Sequence, residues 1–442
     1  MKIQLSDHFD YKKLFRFTVP TVLMMVFTSI YGVVDGFFVS NFAGKTPFAA
    51  INLIMPFVMV IGGMGFMIGT GGTALVSKVL GEGDRKKANE FFTMMIIFVL
   101  ILAAVVSALG IAFIRPVAKF LGADEQMMGY CVVYGRIVIG FSAAFMLQNV
   151  FQSFLIAAEK PKLGLITILA AGCTNMVLDA LFVGVFKWGV AGAAVATGIS
   201  ECVGGLIPLI YFIMPNKSLL RVVKTKLDIK AILQACGNGS SELMSNISSS
   251  VVGMLYNIQL GRLAGENGIA AYGVLMYVQF VFIAIFIGYS IGVAPIIGYN
   301  YGAQNYAELK SMRKKSMLIM GVLGVILSAV AFCFAKPLAK IFVSYDAELL
   351  ALTVRAFKIY AIHFLLCGFN IFASGFFTAL NNGGVSAAIS FLRTLVFQSA
   401  AVIIMPIMFG VNGIWWAVVV AEVCAFIIST TFLIIKRKKY NY

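Results

Sequence analysis

Apolar and polar positions along this chain alternate in long blocks, in which extended apolar runs are separated by short polar segments. An α-helix needs about 20 apolar residues to cross a bilayer, at a rise of about 1.5 Å per residue. The pattern therefore predicts an all-α membrane protein with twelve transmembrane helices. The predicted segments are Leu14–Val39, Ala50–Val76, Phe91–Ile114, Cys131–Ala157, Leu163–Val185, Val190–Pro215, Ile229–Leu260, Ile269–Tyr299, Met312–Ala335, Leu349–Leu380, Gly384–Phe409 and Gly413–Ile435.

The second half of the sequence repeats the first at a constant shift. The numbers of Gly71 and Gly292 differ by 292 − 71 = 221, which is half of 442, and the same shift relates Glu201 to Glu422. Duplicated six-helix halves are how many secondary transporters are built. We therefore expect two pseudo-symmetric six-helix lobes, residues 1–214 and 229–442, joined by a cytoplasmic linker at 215–228. Further pairs at this shift are Gly81 and Gly302, Pro116 and Pro337, Lys119 and Lys340, and Ser153 and Ser374.

Composition and charge support the membrane class. The chain is 61% hydrophobic and 12% charged, whereas a soluble domain is about 25% charged. Its net charge is +16, but the Lys and Arg residues concentrate on one side of the predicted topology, as the positive-inside rule describes. Both termini are therefore expected in the cytoplasm. The lipid bilayer is the expected partner, and nucleic-acid binding is not expected.

Chemistry in such a chain depends on the few polar groups within the apolar segments, because a charged residue at mid-bilayer costs about 2.5–3.5 kcal/mol. Asn175 and Asp179 are one helical turn apart on segment five, and Thr197 and Glu201 are spaced likewise on segment six. If these faces meet Asp35 of segment one, they form an oxygen-rich pocket. Such a pocket suits a hard cation or a proton, since burial and a like-charged neighbour favour a neutral carboxyl group. The alternative is that local serines and backbone satisfy these acids.

The acid cluster is absent from the second half. Adding the repeat shift to Asp35, Asn175 and Asp179 gives positions that are occupied by Tyr256, Val396 and Ala400. This pattern is typical of a specialised site on a symmetric scaffold. Glu201 and Glu422 are duplicated and are equally compatible with structure or chemistry, and Glu242 on segment seven is a possible second-lobe acid.

The two six-segment halves, Pro20 with Asp35 in the same segment, and the stretch Asn175-Met-Val-Leu-Asp179 resemble multidrug and toxic compound extrusion (MATE) transporters, in particular their prokaryotic DinF-like and MepA-like branch. The resemblance implies a MATE-like fold in the cytoplasmic membrane of a prokaryote. It also implies antiport by alternating access, in which Na+ or H+ drives the export of drugs or toxic compounds.

The resemblance implies roles for individual residues as well. The coupling ion, including Na+ if sodium is used, would bind at Asp35, Asn175, Asp179 and Thr197, and segment one would bend at Pro20. No cofactor beyond the coupling ion and no obligate protein partner are implied. Another branch pairs a segment-seven Glu with a segment-ten Asp. Here Glu242 matches the first, but segment ten has no acid, so the ion site is placed in the first lobe.

Lipophilic, often cationic small molecules are the expected substrates, because a cavity that contains these acids has a negative bias. Candidate substrate-cavity residues are Gln148, Gln152, Glu201, Tyr277 and Gln279. Tyr277 and Gln279 occupy alternate positions and cannot share one helical face.

Two alternatives from other classes stay open at this point. A lipid-linked oligosaccharide flippase would need a basic cavity, for which Arg136 and Arg393 are the candidates. An intramembrane aspartyl protease would also use two membrane aspartates, but neither Asp35 nor Asp179 lies in a Gly-x-Gly-Asp context. We therefore predict a transporter and not an enzyme.

Overall fold

The computed structural model describes residues 3–442, which form helices joined by short connections. Short π-helical turns occur at Val39–Ala43, Ala180–Val185 and Leu392–Phe397, and a 3-10 turn at Ala361–His363. The α-helices are α1 Tyr11–Phe38, α2 Lys45–Gly81, α3 Arg85–Phe120, α4 Glu125–Gly140, α5 Ser142–Ala157, α6 Pro161–Asp179, α7 Gly189–Ile213, α8 Ile229–Gly302, α9 Tyr306–Cys333, α10 Ala335–Val343, α11 Ala347–Tyr360, α12 Phe364–Ala379, α13 Gly383–Phe391, α14 Gln398–Phe409, α15 Val411–Ile435 and α16 Arg437–Tyr440.

The number of membrane crossings agrees with the hydropathy pattern. Ten helices within residues 3–442 are long and apolar enough to span a membrane, and the pair α4 and α5, bent by 56°, makes an eleventh. Helix α8 has 74 residues, but its backbone is not helical at Gly265, where φ is 60° and ψ is −150°. The rings of Tyr256 and Tyr272 stack across this break, 4.7 Å apart, so α8 is a hairpin of two limbs. Dividing it gives 11 + 1 = 12 spans, which confirms the twelve-helix membrane fold.

Several predicted segments differ in detail from the observed helices, and two of them show why. The fourth, Cys131–Ala157, is bent at Phe141, whose φ of −92° and ψ of 7° interrupt the helix between α4 and α5. The third, Phe91–Ile114, is longer than predicted because α3 begins at Arg85, directly after its cap Asp84. The first turns of α3 are charged and polar, so they lie outside the apolar run and hydropathy alone does not predict them.

The sequence repeat is visible in the backbone. Gly44 and Gly265, which the repeat shift relates, both have positive φ, 104° and 60°, at the turn that follows the first span of each half. Asp84 and Asn305 are also related by the repeat shift of 221 residues. Each caps the next helix, because its side chain accepts the backbone N–H of Lys87 or Glu308. Equivalent turn and capping residues therefore build equivalent connections in both halves.

The connection between α7 and α8 lies against the beginning of α3. Asn89 Oδ1 accepts the backbone N–H of Arg221 at 2.8 Å, and Thr93 Oγ1 accepts that of Val223 at 3.0 Å. These bonds satisfy two backbone N–H groups of a connection that forms no helix. The lobe boundaries at 214 and 229 stay a prediction.

The two halves touch closely at the end of the bundle that carries the termini. A Cβ on Gly239 of α8 would lie 1.8 Å from the carbonyl oxygen of Met67 on α2, and one on Gly302 would lie 2.0 Å from that of Lys78. Only glycine permits this approach. At the opposite end, no described atom lies within 4 Å of the Cβ position of Gly36 or Gly253. The interface is therefore closed at the terminus-bearing end.

The N-terminal segment strengthens this closure. Leu5 and Phe9 are fully buried, and the backbone N–H of Leu5 donates to Glu159 Oε1 at 2.9 Å in the first half. The backbone N–H of Phe9 donates to Glu308 Oε1 at 3.0 Å in the second half. One short segment thus joins both halves.

We expect Gly239→Ala to weaken the closed interface, because its methyl group would overlap the Met67 carbonyl. Overpacking of this kind costs about 1–3 kcal/mol. The thermal unfolding midpoint of the purified protein in detergent should fall by several degrees, on the order expected for such a loss. Gly253→Ala on the same helix is the matched control and should not lower it. Equal midpoints for the two variants would contradict the close approach.

Candidate functional site

Helices α1 and α6 run side by side and carry the aspartates of the first half. A Cβ on Gly172 of α6 would lie 2.5 Å from Cε1 of Phe27 and 3.0 Å from Cδ1 of Tyr31, both on α1. Both helices run away from the terminus-bearing end, so residues one to two turns further along also face each other. The polar residues at that level are Asp35, Asn175 and Asp179.

The carboxyl groups at this level interact with one another. Asn175 and Asp179 are fully buried, and Glu201 on α7 is buried as well. Asp35 is close enough for its charge to act on both Asp179 and Glu201. Thr197 lies one helical turn from Glu201 on the same face of α7. The predicted residues of α1, α6 and α7 therefore form one cluster, which we term the acidic cluster.

Several oxygens of the acidic cluster have no hydrogen-bond partner among residues 3–442. Buried polar atoms nearly always have partners, and unpaired ones indicate a place for water or an ion. Carboxylate, amide and hydroxyl oxygens are ligands for hard cations, and a pair of carboxyl groups can instead hold a proton. The unpaired atoms are Asn175 Oδ1, Thr197 Oγ1, Glu201 Oε2 and, when both groups are ionised, Asp35 Oδ1 and the two carboxylate oxygens of Asp179. Asp35 and Asp179 are close enough to hydrogen-bond to each other when one of them is protonated.

The donor set of the acidic cluster mixes charged and neutral oxygens. Within the described chain, no group of three or more His, Cys, Asp or Glu side chains could hold a metal ion. Its carboxylate, amide and hydroxyl oxygens are of the type that binds a hard cation, and its neighbouring carboxyl groups can hold a proton.

A π-helical turn adjoins each polar cluster of the membrane interior. Val39–Ala43 follows the helix that carries Asp35, Ala180–Val185 begins directly after Asp179, and Leu392–Phe397 contains Arg393. Such turns are rare and occur frequently at functional sites. The three π-helical turns therefore lie next to Asp35 and Asp179 and around Arg393.

Two tyrosines adjoin the acidic cluster, and sequence analysis did not select them. The Tyr31 hydroxyl accepts a hydrogen bond from Gln148 Nε2 at 3.4 Å. Tyr134 of α4 is close enough for the charge of Asp35 to act on it. Tyr31 lies one helical turn before Asp35, and this spacing was a usable signal. Tyr134 had no such signal in the sequence, because only folding packs α4 against α7, the helix that carries Glu201.

The second half contains a separate polar cavity of about 160 Å³. Glu242, the possible second-lobe acid, lines it together with Gln279 of the other α8 limb. Helix α12 contributes Asn370 and no acid at this level. Hydroxyl groups make up much of the remaining wall, from Ser245, Ser249, Ser290, Ser374, Ser390 and Thr394.

The other acid of this cavity is neutralised. Arg393 Nη2 lies 2.7 Å from Glu422 Oε1, and Arg393 Nε donates to both carboxylate oxygens at 2.8 and 3.1 Å. Asn370 Nδ2 donates to Glu422 Oε2 at 2.7 Å. Both charges are compensated in this forked geometry, so the Glu422 carboxylate has a fixed cationic partner.

The repeat relation explains why the first half lacks such an ion pair. The residue equivalent to Arg393 is Gly172, since 393 − 221 = 172, and the rings of Phe27 and Tyr31 occupy the space beside it. Glu201, the equivalent of Glu422, forms no ion pair within residues 3–442, and its Oε2 is unpaired there. The acidic cluster thus keeps its carboxyl groups without a fixed cation.

A model of the MatE family matches the chain twice, at residues 20–181 and 243–404, which is more than half of its length. The chain belongs to the MatE family. One match falls in each predicted lobe, in keeping with an internal duplication.

Similar proteins include curated transporters along nearly the whole chain. The multidrug export protein MepA of Staphylococcus saprophyticus is 27% identical over 94% of this chain and 92% of its own length. MepA of Staphylococcus haemolyticus is 26% identical with the same coverage. An outward-facing multidrug resistance MATE transporter of the MOP superfamily superimposes with a TM-score of 0.93 at 22% identity, covering 100% of this chain and 98% of that chain. This last match shows the MATE fold.

The predicted substrate-cavity residues of this MATE-family chain do not all share one cavity. Gln148 and Gln152 are buried one helical turn apart on α5 of the first half, and Gln148 reaches Tyr31 beside the acidic cluster. Gln279 lines the cavity of the second half. Tyr277 lies elsewhere, because its half-exposed ring stacks on that of Phe342 at 5.7 Å.

Pro20 lies inside α1, which stays helical from Tyr11 to Phe38. Proline cannot donate the usual hydrogen bond to the preceding turn, so the helix is weakest there. The adjacent Thr21 carbonyl oxygen would be 3.1 Å from a Cβ on Gly288 of α8. A bend at Pro20 would therefore change a contact between the two halves.

We expect Arg393→Met to destabilise the protein far more than Glu201→Gln. Removing the arginine leaves the Glu422 charge buried and unpaired, at a cost of about 3–5 kcal/mol, whereas Glu201 loses no ion pair. Thermal unfolding of both variants in one detergent tests this. The double variant Arg393→Met, Glu422→Leu should recover much of the loss. Equal destabilisation by the two single variants would contradict the assigned roles.

Proposed function

We propose that this MATE-family protein is an antiporter in which Na+ or H+, bound in the first half, drives export of lipophilic, often cationic compounds. One observation carries the proposal. The second-half acid Glu422 is neutralised by Arg393, whereas its equivalent Glu201 and the neighbouring Asp35 and Asp179 have no such partner among residues 3–442. The acidic cluster therefore holds several carboxyl groups without a fixed cation, whereas the cavity of the second half has a single one, Glu242.

Orientation follows from the charge distribution. The basic linker and the basic tail Lys436–Lys439 lie at the end of the bundle where α7 ends and α15 is followed by α16. The positive-inside rule places this end in the cytoplasm, together with both termini. Since the interface between the halves is closed at this end, the state described here faces outward.

The transport cycle follows from these constraints. In the outward-facing state the coupling ion enters and binds at Asp35, Asp179, Asn175 and Thr197. Neutralising these carboxyl groups removes the charge that attracts a cationic substrate, and a bend of α1 at Pro20 alters the inter-half contact beside Gly288. The substrate leaves, the halves rock, and the ion is released inside. This exchange requires a reciprocal coupling of about 1–3 kcal/mol between ion and substrate.

Substrate recognition is assigned to the wall beside the acidic cluster. Gln148 and Gln152 supply amide groups there, and Gln148 Oε1 and both amide atoms of Gln152 have no hydrogen-bond partner within the described chain. A mostly apolar wall with a few amide groups and nearby negative charge suits lipophilic cations, because the wall contacts their apolar part and the acids attract their charge. The MepA relatives, named multidrug export proteins, support this class of substrate.

A lipid-linked oligosaccharide flippase would need free cations in its cavity. Arg393 is paired with Glu422, and Arg136 is exposed on the outside of α4. Neither supplies free positive charge to a cavity. Nothing in residues 3–442 favours proteolysis by the two aspartates, so the antiporter is the better-supported function.

Reconstituted liposomes test the proposal. We expect ethidium transport to follow an imposed gradient of Na+ or of H+, with each gradient applied alone, and the one that drives transport identifies the coupling ion. Asp35→Asn should reduce this coupled transport at least tenfold, because it removes a carboxylate ligand of the coupling ion and a group that can take up a proton.

Glu242→Gln is the matched control, since it removes a carboxyl group from the cavity of the second half and should retain coupled transport. Coupled transport that persists in Asp35→Asn and is lost in Glu242→Gln would overturn the assignment to the first half. Folded wild-type protein that moves no ethidium under either gradient would contradict the antiport proposal.

A further inference from the structure

The two halves differ at the end of the bundle opposite the termini. In the first half, α3 is one continuous helix from Arg85 to Phe120. The equivalent part of the second half is divided, because Phe334, with φ of −97° and ψ of 14°, separates α9 from the short helix α10. Helix α10 is therefore separate from α9, and a groove lies along α11 with Lys336 of α10 at its side.

This groove has a volume of about 650 Å³ and two kinds of lining. The volume lies within the range of about 300–1,000 Å³ that is typical of ligand sites. Apolar side chains form most of the wall, and three of the lining side chains are positively charged. The lining residues are Lys336, Ala347, Leu350, Ala351, Val354, Arg355, Lys358 and Ile359.

The three cations have no counter-charge from the protein. Lys336, Arg355 and Lys358 are exposed, and none forms an ion pair with an acid within residues 3–442. The nearby Asp346 does not line the groove, and its carboxylate instead caps α11 by accepting the backbone N–H of Leu349. Three like charges in one groove repel each other, so an anion between them would be stabilised.

The groove lies where lipid headgroups are found. Beside it, α10 and the turn that follows expose large apolar side chains, with Ile341 72% and Tyr345 80% accessible. A short helix with exposed apolar and aromatic residues next to lysines is typical of the membrane interface. Lysines and arginines are sparse at this end of the bundle, which makes the concentration of three in one groove distinctive.

The cation cluster is specific to the second half. Subtracting 221 from Arg355 and Lys358 gives Tyr134 and Ile137, so the first half has no equivalent charges there. Lys336 alone is matched, by Arg115. The cluster therefore does not follow from duplication of the scaffold.

We propose that this groove binds one anionic phospholipid of the leaflet opposite the termini. The headgroup phosphate lies between Lys336, Arg355 and Lys358, and an acyl chain lies along the apolar wall formed by Leu350, Val354 and Ile359. A soluble phosphate shares the headgroup chemistry but would leave this wall exposed. The observations therefore favour the lipid. The site is independent of the proposed transport function.

Native mass spectrometry of the detergent-purified full-length protein tests the site, with phosphatidylglycerol as the probe. The variant Arg355→Gln, Lys358→Gln should bind the first phosphatidylglycerol about tenfold or more weakly than wild type, since each interfacial cation contributes to anionic-lipid binding. The double variant Lys119→Gln, Lys340→Gln is the matched control. It removes two lysines from the same end of the bundle, neither of which lines the groove, and its binding should be unchanged.

Two further probes separate the sources of the anion. Phosphatidylcholine should bind wild type more weakly than phosphatidylglycerol, and glycerol phosphate should not displace the bound lipid. The proposal is overturned if the groove variant binds phosphatidylglycerol as wild type does, if phosphatidylcholine binds equally well, or if glycerol phosphate competes at equal concentration. Arg355→Lys, which keeps the charge, should retain most of the affinity; a loss as large as in the double variant would also count against the site.

Discussion

The cost of placing a charge inside the membrane is the constraint on which this structure depends. Each such charge requires a partner, and the two halves of the protein meet this requirement in different ways. The second half supplies a fixed cation, Arg393, to Glu422. The first half has Gly172 at the equivalent position and leaves Asp35, Asp179 and Glu201 without one. Among residues 3–442, the duplicated glutamate thus has a fixed cation in one half and none in the other, and we propose that a mobile cation takes that place.

The halves of the protein are in close contact at one end of the bundle, and α1 connects this end to the acidic cluster. Backbone contacts at Gly239 and Gly302 and the bridging N-terminal segment hold the halves together beside the termini. The acidic cluster lies farther along α1, beyond the flexible point at Pro20. A change of charge at Asp35 is therefore placed on the same helix as the inter-half contact near Thr21. In the proposed transport cycle, ion binding and lobe movement would therefore act through the same helix.

The length of the apolar runs predicted the twelve spans, and the constant repeat shift predicted the duplicated fold. Both properties can be read directly from the sequence, without knowledge of the packing. The acidic cluster was predictable too, since membrane acids are rare and helical spacing places them on shared faces. Tyr134 was not, because only folding packs α4 against α7. The break at Phe334 left no signal either, as both halves carry the equivalent prolines Pro116 and Pro337. The pairing of Glu422 with Arg393 required the packing of α15 against Leu392–Phe397.

Equilibrium binding of a fluorescent lipophilic cation to the purified protein tests the central claim most directly. We predict that raising the concentration of the coupling ion, Na+ or H+, weakens binding to wild type and to Glu242→Gln. The same change should have no effect on Asp35→Asn, because the ion and the substrate then no longer share a carboxylate. An unchanged ion dependence in Asp35→Asn, with its loss in Glu242→Gln, would contradict a coupling site in the first half.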